Sequence, residues 1–200
     1  MAQYGSSNRR QSLLVRDSSS GRKDIMFRLG SSLFITVLGF AGTSAMAQSA
    51  ATPTDPQIAH IAYTAGQSDI AAADLARNKT HNNAVKAFAE EMVQDHTAVN
   101  QKALALLDKL KVKPEDNDIS KSLADAAAAK RQELSNLSGA AFDKAYAENE
   151  VAYHLIVNGA LETRLIPATQ NGELKSLLET GLKLFAEHQK HAKQLVSQLK

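Results

Sequence analysis

Beyond residue 55, apolar residues recur at three- and four-residue steps through most of the chain, and polar residues fill the gaps. That period marks amphipathic helices. Its clearest stretch is Phe88, Met92, His96, Val99, Ala103, Leu106 and Leu110. These share one helix face, apolar except for His96, which stands where a core residue belongs. Five helices are predicted. The first covers 55–79, with Thr54 or Asp55 as N-cap and Pro56 in the first turn. Its inward face reads Ile58, Ile61, Ala62, Ala65, Asp69, Ala72 and Ala76. The second covers 83–111 and is stopped by Pro114. The third, 119–137, is shorter and Ala-rich, with a weak stripe of Leu123, Ala126, Ala127, Leu134 and Leu137. The fourth covers 140–170 and turns Phe142, Tyr146, Val157, Leu161 and Leu165 inward, with Pro167 placed to kink or end it early. The fifth, 173–199, turns Leu174, Leu177, Gly181, Leu184, His188, Leu195 and Leu199 inward. No stretch alternates as a strand would.

The connections set the topology. Residues 78–82 and Asn171-Gly172 are tight turns, so helices one–two and four–five should form antiparallel hairpins. A long crossover with the short third helix joins them. The expectation is an all-α, ferritin-like four-helix bundle over residues 55–200.

Residues 1–25 are polar, rich in Ser and Arg, and lack an apolar period. Arg9-Arg10 is a poor match to a twin-arginine signal, because the apolar run begins only near Leu29. Met26 as the true start explains this extension more simply. From Met26 the order is Arg28, then an apolar run from Leu29 to Ala41, then Ala45-Met46-Ala47. That is the three-part pattern of a secretory signal peptide over 26–47, cleaved near Ala47. The run is shorter than the roughly 20 residues that span a bilayer. Residues 48–54 read as a polar linker. A periplasmic or outer-membrane-associated protein is expected.

Charge and composition change the picture in two ways. Six of the 23 basic residues and two of the 21 acidic ones precede Ala47, leaving 17 against 19 beyond it, a net of −2. No nucleic-acid-binding face is indicated. The chain has no cysteine, which removes disulfides, thiolate metal sites and cysteine nucleophiles.

Each long helix carries one ligand-capable residue on its apolar face: Asp69, His96, His154 and His188. Counted from the nearest turn, His154 and His188 stand level and His96 close to them. Asp69 is offset from His96 by about 7 Å at the helical rise. Glu150, one turn before His154, is an alternative carboxylate. Three histidines and a carboxylate could hold a divalent transition ion such as zinc, copper, iron or nickel. The same residues could instead be core histidines bonded to Tyr146, Tyr153 or Asp95. The Glu-x-x-His pair of di-iron proteins is absent, so ferroxidase chemistry of that kind is not expected. His191, three residues after His188, is expected at the helix edge. Glu90-Glu91 reads as a solvated face, and Asp143 as a first-turn acid.

Met92-Val93-Gln94-Asp95-His96, then Phe142-Asp143-Lys144-Ala145-Tyr146, His154 and His188, resemble the domain of unknown function 4142 family over about residues 55–197. That resemblance implies a ferritin-like fold and export, often with a membrane or outer-membrane label, and no established reaction. Asp69 stands where the family usually has Glu. Phe185 departs from its usual Leu-Pro-x-Leu-x-x-His approach. The leading expectation is a non-enzymatic, stress-related or envelope binding module with an envelope protein or membrane as partner. The alternatives are a metal-binding or metal-storing protein centred on the histidines and a purely structural partner of the envelope.

Overall fold

The computed structural model describes residues 52–199, and among them every regular element is helical. The expected extension, signal peptide, cleavage site and first part of the linker lie outside the described residues. The elements are α1 (Asp55–Lys79), α2 (Asn83–Lys109), α3 (Asp118–Ser135) and α4 (Gly139–Ala160), a π-helical turn (Leu161–Leu165), α5 (Ile166–Ala168) and α6 (Gly172–Gln198).

Local chemistry sets the helix starts. Thr54 N–H donates to Gln57 Oε1 at 3.0 Å, with Pro56 in the first turn. Asn82 Oδ1 accepts from Ala84 and Val85 N–H, and Asn171 Oδ1 from Leu174 N–H. Asp55 reaches across the molecule. Its carboxylate accepts from the backbone N–H groups of Gln170 (2.9 Å) and Asn171 (2.7 Å).

Three helix ends differ from expectation, α3 among them, which stops at Ser135, short of residue 137. α2 stops at Lys109, before Lys111. Lys111 adopts φ +58°, its N–H bonds Asp108 O, and Val112 N–H bonds Leu107 O, each at 3.0 Å. This paired closure ends the helix before Pro114 is reached. The fourth helix does not run as α-helix to Gln170. It widens into the π turn, where Ile166 N–H bonds Leu161 O five residues back. Pro167, which has no N–H, follows at once. Thr169 Oγ1 then closes on Leu165 O at 2.7 Å. The wide turn keeps both Leu161 and Leu165 inward.

α1 packs along α2, and α4 along α6. α2 also packs on α6. α3 lies on α1 and touches α4 lightly, on the side where α1 and α4 make little contact. The buried line of α2 is Phe88, Met92, His96, Asn100, Ala103 and Leu107, with Val99 and Leu106 only half-buried. On α6, Leu178 and Phe185 are buried in place of Leu177 and Leu184. On α2 the shift follows a row of four-residue steps, Phe88, Met92, His96 and Asn100, whereas on α6 the buried residues alternate steps of four and three.

Apolar side chains form two clusters, one around Phe88, Phe142 and Tyr146, the other around Ile58, Leu161 and Leu174. Along each long helix a polar residue falls between them. Asp69, His96, Glu150, His154 and His188 are all buried.

Candidate metal centre

Four helices supply this polar layer. His96, His154 and His188 have ring centroids 5.3–5.6 Å apart, a nearly equilateral triangle. Phe185 stacks on His96 at 4.6 Å and 12°, forming the apolar floor on one side. Asp69 Oδ2 lies 3.5 Å from His96 Nε2 and 3.6 Å from His154 Nε2. Glu150 Oε2 lies 3.7 Å from His154 Nδ1. One ligand atom from each of the three histidines, and one each from Asp69, Glu150 and His154, fall within 4.8 Å of one another in two triads sharing His154.

Hydrogen bonds fix which ring nitrogens are free. His154 Nδ1 lies 3.0 Å from the carbonyl of Glu150, which can only accept, so Nδ1 carries the proton and Nε2 the lone pair. His188 Nε2 lies 3.0 Å from Asp95 Oδ2, which leaves Nδ1 free. These are the outer bonds that orient metal-ligating imidazoles. His96 has no hydrogen bond at either nitrogen. His96 Nδ1 and Nε2, His154 Nε2 and His188 Nδ1 find no hydrogen-bond partner within the protein, and the Asp69 and Glu150 carboxyls have each other, the protonated one donating. Leaving such groups buried and unpaired costs about 1–3 kcal/mol each.

The spacing discriminates between explanations. An N–H···O hydrogen bond spans roughly 2.7–3.2 Å. Two donor atoms about 2.0–2.1 Å from one tetrahedral ion lie roughly 3.3 Å apart. The Asp69–His96 and Asp69–His154 separations match the second figure better. Of the three partners expected for core histidines, only Asp95 serves. Tyr146 OH has no partner, and Tyr153 OH donates to Ala65 O at 2.8 Å.

Burial also sets the protonation. It raises the Asp69 carboxyl to about 7, and Glu150 well above its ordinary range with Asp69 beside it. It lowers His154 to about 4 and His96 well below its usual value. The His96 and His154 imidazoles are therefore neutral, with lone pairs to offer, while the carboxyls hold protons that a cation would displace.

All five expected residues meet in this layer. Asp69 stands closer to His96 than turn-counting implies. His191 is half-exposed at the edge and bonds Glu91, so Glu91 is not a freely solvated charge. Asp143 is buried, where it accepts from Thr80 Oγ1. Sequence reasoning missed Phe185 as the floor, and the pairing of Glu91 and Asp95 with α6. The signal was present: Glu91 and Asp95 are one turn apart on α2, and His188 and His191 one turn apart on α6.

Residues 41–195 match the family described as "Domain of unknown function (DUF4142)", and the chain belongs to that family. No curated protein matches the sequence. A crystal structure of a DUF305 protein from Streptomyces coelicolor, secreted by its assigned name, is similar in fold. It is 14% identical, with a TM-score of 0.59, covering 71% of this chain and 91% of that one.

Proposed function

On the premise of that family membership, we propose that the chain is a ferritin-like four-helix bundle whose role is to bind a divalent first-row transition ion. His96, His154 and His188 are the ligands, and Asp69 and Glu150, which form a second triad with His154, stand beside them as carboxylates. One observation carries this reading: side chains from four helices bring buried polar atoms, the histidine nitrogens unpartnered within the protein, into two ligand triads that share His154. It takes the metal-binding alternative over the envelope module. A bound ion would take one lone pair from each ring, and neither nitrogen of His96 has a partner in the protein that competes for it. Among the described residues no helix is long and apolar enough to cross a membrane. Export to the periplasm or the outer membrane, with cleavage near Ala47, is proposed on the three-part signal. The name given to the DUF305 relative is in keeping with it. A native mass beginning at Gln48 tests that part.

The metal reading is tested on the untagged protein, stripped with chelator and melted with zinc, copper(II), nickel or iron(II). The binding ion should stabilise the fold by about 2.7 kcal/mol at a hundredfold excess over Kd. The gain should vanish in His96→Gln, His154→Gln and His188→Gln and persist in His191→Gln. Melting curves indifferent to all four ions, with a metal-free native preparation, would return the histidines to a packing role.

A further inference from the structure

The inner layer is sealed, so an ion needs a way in. Two routes reach it. A cleft of about 280 Å³ between α1, α3 and α4 runs to Asp69 and Glu150, but Lys130 and Arg131 line it. A cation approaching there meets the Arg131 guanidinium, while the Lys130 charge is balanced by Glu133. The other route is the seam between α2 and α6. Glu91 and Asp95 face His188 and His191 across it. His191 Nδ1 lies 2.8 Å from Glu91 Oε2, and His188 Nε2 lies 3.0 Å from Asp95 Oδ2. Ligand atoms of Glu91, Asp95 and His188 come within 4.8 Å of one another. Exposure falls inward in steps: Glu91 and His191 side chains are 40% and 45% exposed, Asp95 is 30% and His188 is 1%. The ligand set changes from carboxylate-rich outside to imidazole-rich inside.

We propose that Glu91, Asp95, His191 and His188 form an outer cation site that captures a hydrated divalent ion and hands it through the His188 ring to the buried centre. This rests on the metal reading above. The ring's chemistry makes it a relay. A neutral imidazole has one lone-pair nitrogen and one N–H. An ion held on Nε2 in the outer site requires the proton on Nδ1. An ion held on Nδ1 in the inner site requires the proton on Nε2, where Asp95 accepts the hydrogen bond. One ring therefore serves one site at a time. The two positions are successive stations, and a single ion per chain is the resting state. The negative outer residues raise the local cation concentration, which acts on rate.

The experiment mixes stripped, untagged protein with zinc(II) at low salt and follows uptake by competition with a chromogenic chelator, with release measured into excess chelator. Glu91→Gln/His191→Gln should slow uptake by about tenfold or more, within the range of electrostatic capture. Release should slow by the same factor, since the ion leaves as it came. Kd and one ion per chain should then be unchanged. Lys130→Gln/Arg131→Gln should not slow uptake. Unchanged rates in the seam variant, slower uptake in the cleft variant, or two ions bound per chain would each overturn the relay. These outcomes would leave the metal centre standing. A wild-type protein that takes up no zinc, copper, nickel or iron would overturn both.

Discussion

The two apolar clusters on either side of the histidine layer are built on different plans. The one toward the α1–α2 turn uses alanines, among them Ala73, Ala76, Ala89, Ala147 and Ala192, with Phe88, Phe142 and Tyr146 filling the space. Small residues let backbones approach, and the rings contact one another, Phe142 stacked on Tyr146 and Phe88 edge-on, both at 6.2 Å. The cluster toward the α5–α6 turn uses branched aliphatics, among them Ile58, Ile61, Leu161, Leu165 and Leu178. It adjoins a cavity of about 160 Å³ walled almost wholly by apolar side chains, including Ala103, Leu161 and Phe185. Close packing comes from complementary shapes, and apolar content alone does not deliver it. The same hydrophobic pattern has produced one end filled between α2, α4 and α6, open only on its α3 flank where the cleft meets Ala72 and Leu134, and one loose end.

Truncations should measure the contrast. Phe88→Ala, in the filled end, should cost about 3–5 kcal/mol in urea denaturation. Leu161→Ala, beside the cavity, should fall at about 2–3 kcal/mol, the low end for a buried leucine, because its neighbours already lack contacts on one side. Equal losses would erase the distinction. Additions should differ in sign. Ala89→Leu overpacks the filled end and should cost about 1–3 kcal/mol. Ala103→Leu grows into the cavity and should gain about 0.5–2 kcal/mol. Thermal melts of the two variants decide it.

The layer between the clusters should show the smallest effect until it is unbalanced. Asp69 is raised to about 7, so its contribution to stability is complete below about pH 4 and is lost as pH rises through 7. His154 is lowered to about 4, so its contribution is complete above about pH 6.5 and is lost as pH falls through 4. Glu150 acts in the sense of Asp69, and His96 in the sense of His154. Two groups oppose two, so the stability of the chelated protein should be nearly flat between about pH 4.5 and 6.5. His154→Gln removes one counterweight. Stability should then fall with rising pH at about 1 kcal/mol per unit. Urea melts across that range give both slopes.

Much of this architecture was legible in the sequence, because helix periodicity is a local property. Met92, His96, Leu174 and Leu195 are inward as their spacing implies. What was not legible depends on how helices meet. Turn-counting offsets Asp69 because it ignores side-chain direction. Side chains lean toward the N-terminus of their own helix. In an antiparallel pair, Asp69 leans away from the α1–α2 turn and His96 toward it, so their tips converge. The π turn was hidden for a similar reason: Pro167 announces a break, but only packing decides that the helix widens. Phe185 looked like a departure from pattern, and only its stacking on His96 gives it a place.

The carboxylate of Asp55 has a consequence in time. It binds backbone groups 115 and 116 residues further along the chain. Closing so long a loop is slow, and the contact repays that entropy only once both hairpins stand. It is therefore made late, and an interaction missing from the folding barrier acts mainly by delaying unfolding. Synthesis delivers Asn171 long after Asp55. Until the final hairpin exists, the start of α1 stays unlatched, and when it closes, the first turn of the fold is held by one of its last.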